Sequence, residues 1–137
     1  MVKSSAKSSR TSGFALAMFF ITTVIELFAV AIASAGFDEV ADASPFGRSG
    51  TIVVAAIAAG VAVIGSIVAW RGSTGVLRGI TATIVFIAVG VVALMALYFV
   101  IAGGTPIILA FLLAHAAFSL GMIGRAVLQP APAGARS

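Results

Sequence analysis

Residues 80–102 read ITATIVFIAVGVVALMALYFVIA, an apolar run without a single charge. A helix of about 20 apolar residues crosses a hydrocarbon core of about 30 Å. The run shows no two-residue alternation, so it does not read as a strand of a membrane barrel. A backbone in lipid must satisfy its own hydrogen bonds, and a helix does so within the segment. This stretch decides the class as all-α and membrane-spanning.

Three more runs share the property, at residues 14–35, 51–70 and 106–127, and each of the four is 20 to 23 residues long. The chain has 137 residues, 61% hydrophobic and 9% charged, with mean hydropathy +1.23. A soluble domain carries about 25% charged residues. The expected architecture is one four-helix transmembrane bundle over residues 13–128, in up-down topology. Residues 1–12, with five Ser and three basic groups, read as a disordered tail, and residues 129–137, with Pro130 and Pro132, as a second.

Charge sets the expected orientation. Lys3, Lys7 and Arg10 precede the first span, Arg71 and Arg78 bracket the second loop, and Arg125 and Arg136 close the chain. All seven fall on one side if every run crosses. The first loop, with Asp38, Glu39, Asp42 and Arg48, falls on the other, as does the uncharged third loop. Cytoplasmic segments favour Lys and Arg, so both termini are expected in the cytoplasm, in a multi-pass protein of a bacterial plasma membrane. The net charge of +4 sits at span ends, so the expected partner is the lipid bilayer and not nucleic acid. The chain has no Cys, hence no disulfide and no thiolate chemistry. The basic start, the first apolar run and Ala33-Ser34-Ala35 imitate a secretory signal. The run is longer than the usual h-region of about 7–15 residues and holds Glu26, so it reads as a retained span.

Turn chemistry supports two tight hairpins. Gly103 and Gly104 end the third helix, Thr105 suits the cap of the next and Pro106 its first position. Gly72, Ser73, Thr74 and Gly75 form a similar stop and start, with Trp70 at the interface. Phe37 and Phe46 of the first loop are placed to dip into the interface. Its three acids lack calcium-loop spacing and read as solvated.

Two ionisable groups lie deep in the apolar runs: Glu26 in the first and His115 in the fourth. At such depth they are costly and are expected to face the bundle interior or a water-filled cavity. Each lies about 18 Å from the basic end of its run at 1.5 Å per residue. Thr22 precedes Glu26 by four and Ser119 follows His115 by four, each on a shared helix face. If the first and last spans are neighbours, as in a cyclic bundle, the expectation is a polar strip of Glu26 with His115 and Thr22 with Ser119. The pair is expected to share one proton and be neutral overall, either fixing helix register or carrying a proton. One His and one Glu are too few ligands for a metal site, and no cofactor is expected.

Small residues recur every four positions: Ala58, Ala62 and Ser66 on the second span with Gly60 and Gly65 nearby, then Ala110 with Ala114 and Ala117 with Gly121 on the fourth. That spacing permits close helix approach in lipid, within one chain or between copies. No phosphate-binding loop, zinc-protease motif or nucleophile elbow is present. The residues give no set of nucleophile, base and oxyanion donors, and no enzymatic activity is expected.

Two resemblances follow from these residues. Four spans and the segment TVIELF, with Glu26 mid-span, resemble small multidrug-resistance transporters, which implies a dimeric, proton-coupled cation exporter using Glu26. The chain departs from that family in two ways. Its second span lacks aromatics before Trp70, and its fourth holds a deep His. The ending LAFLLAHAAFSLGMIGRA is similar to small four-span actinobacterial membrane proteins of unknown function, a resemblance that carries no activity. The reading taken is a non-enzymatic structural or accessory subunit of a membrane assembly, in contact with other membrane subunits or itself. The alternative is a small proton-coupled transporter or channel using Glu26 and His115.

Overall fold

The structure, a computed structural model, describes residues 12–72 and 74–129. The two tails expected to be disordered therefore lie almost wholly outside the described residues. Five helices follow in order: α1 Gly13–Gly36, α2 Asp38–Ala43, α3 Gly47–Arg71, α4 Gly75–Ala102 and α5 Pro106–Leu128. The four long ones are apolar and long enough to cross a membrane.

Helix ends follow local chemistry in part: Phe37, Phe46 and Thr74, which precede α2, α3 and α4, make no side-chain capping bond. Ser12 caps α1, its hydroxyl accepting from the Ala15 amide at 3.0 Å. Gly72 ends α3 at φ 75° and Gly103 ends α4 at φ 71°, left-handed conformations that glycine adopts without a Cβ clash. Pro106 opens α5, where a missing amide hydrogen costs nothing. The expected Thr105 cap does not form. Thr105 is itself helical, at φ −55° and ψ −40°, so its side chain makes no capping bond.

The first loop is shorter and more ordered than its charges suggest. Helix α2 occupies its centre, and Val40 and Ala41 turn down onto the bundle. Arg48 binds it from α3. Its Nε donates to the Ser34 carbonyl at 3.0 Å, and its guanidinium pairs with Asp38. Thr51 and Ser44 join through their hydroxyls.

The long helices form a ring in which α1 touches α3, α3 touches α4, α4 touches α5 and α5 returns to α1. Helices α3 and α5 also meet across the middle, whereas α1 and α4 stay apart. The first and last spans are thus neighbours, as the cyclic arrangement requires. Two apolar clusters fill the interior. One contains Leu27, Val30, Val92, Met95, Phe99 and Leu113. The other contains Leu16, Val85, Leu120, Ile123 and Val127.

Residue size is sorted in a way suited to lipid. The buried face of α3 is made of Thr51, Ala55, Ala58, Ala62, Gly65 and Ala69. Ile57, Ile64 and Ile67 of the same helix are exposed, as are Ile25, Phe28, Ile87 and Phe111 elsewhere. Water would penalise such an outer surface. Lipid tails do not, and helix contact in lipid is driven by close backbone approach instead. The small-residue expectation holds best at Gly65, where a Cβ would lie 3.0 Å from Val85 and 3.1 Å from Ile123. Ala58, Ala62 and Ala117 are buried, and Gly121 faces Val89 across an ordinary contact. Ser66 is half-buried, its hydroxyl enclosed without a hydrogen-bond partner among the described residues. Gly60 and Ala114 depart from the expectation and lie exposed.

Candidate functional site: a polar pair on the α1–α5 seam

Glu26 and His115 meet. The carboxylate Oε1 lies 3.0 Å from the imidazole Nδ1. Each residue sits about 20 Å from the terminus-bearing end of its helix and about 14 Å from the other, at 1.5 Å per residue. Contact between α1 and α5 and this equal depth bring the two side chains together.

The pair is not in the bundle interior. The Glu26 side chain is 12% exposed, but that of His115 is 57% exposed. The expectation of an inward-facing pair is therefore corrected for His115. The cause is helix phase. Leu113, Ala116, Ala117 and Leu120 take the inner face of α5, while Phe111, Ala114, His115 and Phe118 form its outer stripe. Glu26 occupies the groove between the helices, beside the buried Leu27.

The second rung does not form. Ser119 is fully buried, with its hydroxyl lacking a hydrogen-bond partner among the described residues, and Thr22 is half-buried on α1. A four-residue step turns a helix by about 40°, enough to carry Ser119 from the outer stripe of His115 into the core. The buried threonine of α1 is Thr23, whose hydroxyl donates to the Phe19 carbonyl at 2.7 Å. That bond satisfies the group within its own helix.

Aromatic rings frame the outer stripe. Phe118 meets Phe19 edge-on across the seam at 6.4 Å between centroids, and lies 6.3 Å from the His115 ring. Sequence reasoning passed over both phenylalanines, which looked like ordinary apolar residues. The signal was their spacing: Phe118 is three residues after His115, and so shares its side of the helix.

The pair offers one carboxylate and one imidazole, a set able to hold or pass one proton. Among the described residues, no third His, Asp or Glu joins them in a cluster fit for a metal ion. Comparisons with family models, curated proteins and solved structures found no match for this chain.

Proposed function

We propose that this small integral membrane protein is a non-enzymatic accessory or structural subunit of a bacterial plasma-membrane assembly, held to its partner through the α1–α5 seam. The observation that carries this reading is the outward exposure of His115 at mid-span depth. An imidazole has two polar nitrogens, and Glu26 engages only Nδ1. In hydrocarbon the other nitrogen is costly unless another helix meets it. Polar side chains at such depth act as contacts between helices. The filled interior, with Leu27, Val92, Met95, Phe99 and Leu113 all buried, also suits a support role better than a conduit through the monomer.

A second reading keeps the pair as a proton carrier in a small transporter or channel. Its support is the 3.0 Å contact between two titratable groups at mid-depth. Purification from native membrane under mild detergent tests the first reading. The expected result is co-purification of a fixed membrane component, lost on His115→Leu. The second predicts proton-linked flux by the protein reconstituted alone, abolished by Glu26→Gln because Gln cannot titrate. Flux with that behaviour, without any associated component, would replace the first reading.

A further inference from the structure

Resting on the lateral-contact reading above, we infer that the helix meeting His115 belongs to a second copy of this chain, parallel to the first and related to it by a two-fold axis along the membrane normal. Depth is the first argument. A foreign partner must carry a polar group at the level of His115, whereas a parallel copy carries one there by symmetry. Chemistry is the second. A neutral imidazole whose Nδ1 accepts presents Nε2–H as a donor, and one whose Nδ1 donates presents Nε2 as an acceptor. Two copies in opposite tautomers are complementary, the two-fold relating their heavy atoms and not their protons, and give a line of four groups: Glu26, His115, then His115 and Glu26 of the second copy.

Shape is the third argument. Ala114 lies exposed beside His115, a small residue that lets a second backbone approach. Phe111 and Phe118 stand one turn to either side, 73% and 60% exposed. Phe118 is held by its edge contact with Phe19. A two-fold contact of this kind uses the same patch on both copies and closes at two.

The absence of Cys makes the test clean, because one introduced thiol is the only one. Ala114→Cys, oxidised in membranes by copper phenanthroline, is expected to give a disulfide-linked dimer. Ile57→Cys, also at an exposed position but on α3, is expected to give none. Adding His115→Leu to Ala114→Cys should cut the dimer yield about threefold, the scale of one average mid-membrane polar contact, while circular dichroism shows unchanged helix content. Equal dimer yields at Ala114 and Ile57 overturn the self-pairing. A photo-crosslinking residue at Phe118, used in native membranes, separates the two readings. Adducts with another protein alone overturn self-pairing but keep the lateral contact. Adducts with lipid alone overturn both.

Discussion

Glu26 and His115 are unequal partners: the carboxylate lies in the α1–α5 groove, 12% exposed, and the imidazole stands outside it, 57% exposed, with 3.0 Å between Oε1 and Nδ1. Loss of either residue therefore has a different cost. His115→Ala leaves a largely buried carboxyl without its partner, which is the more expensive loss. Glu26→Gln keeps a side chain that still hydrogen-bonds to imidazole.

The single changes are expected to be non-additive. Interhelical polar contacts in membranes average about 0.6 kcal/mol, with maxima near 1.7. A double-mutant cycle with Glu26→Gln and His115→Ala, read by unfolding in detergent, should give a coupling of about 1 kcal/mol. Additivity within about 0.3 kcal/mol would mean that the side chains do not interact.

Gly65 lies where three helices converge, with Val85 of α4 and Ile123 of α5 within 3.1 Å of a Cβ built on it. Gly65→Leu should destabilise the bundle by about 1–3 kcal/mol or more, as overpacking does. Ala62→Leu, at a fully buried site on the same face, should act alike. Gly60→Ala and Gly90→Ala meet nothing within 4 Å and should be neutral or slightly stabilising in a thermal melt. A silent Gly65→Leu would place this face against lipid.

Arg48 serves two acceptors, the Ser34 carbonyl near the end of α1 and the Asp38 carboxylate at the start of α2. Asp38 is 86% exposed and Arg48 45%, so the solvent-screened ion pair itself is worth little, about 0–1 kcal/mol. Removing Arg48 also strips the carbonyl of its donor. Arg48→Ala should therefore cost more stability than Asp38→Ala, and should speed proteolytic cleavage between residues 36 and 47. Equal effects would reduce the role of Arg48 to the ion pair.

Orientation has a separate test. A Cys at Asp42, exposed on α2, should react with an impermeant maleimide in intact cells, while a Cys near either terminus should not. Asp42 is a better reporter than Ser44, which is buried and bonded to Thr51. Labelling of a terminal Cys from outside would invert the bundle.

The four long helices were legible because lipid imposes a length and an apolar composition on a span, and Gly72, Gly103 and Pro106 mark the ends. The meeting of Glu26 with His115 was legible too, since antiparallel neighbours with equal residue offsets reach equal depth. Rotation was not. Apolar residues surround these helices on every side, so hydropathy could not tell the inner face of α5 from its outer stripe. Placing Ser119 beside Thr22 failed for that reason, and so did an inward His115. Size marks the inner face of α3, which is lined by Ala55, Ala58, Ala62, Gly65 and Ala69, but not that of α5, where Leu113, Leu120 and Ile123 face in and Ala114 faces out. Helix α2 was hidden by its acids, which read as solvated loop although Val40 and Ala41 anchor it.

Helix α5 touches every other helix, and half of its apolar window is buried, against 22–28% for the other three. Among the described helices it is also the last in chain order. Until it inserts, the only long helix that α1 and α4 both touch is α3, and Gly65 faces a gap where Ile123 belongs. A chain stalled or cut before residue 106 would sit in the bilayer as an open three-helix fragment with Glu26 unpaired. The lifetime of such a fragment in the membrane would measure how far the other three long helices hold together without the closing one.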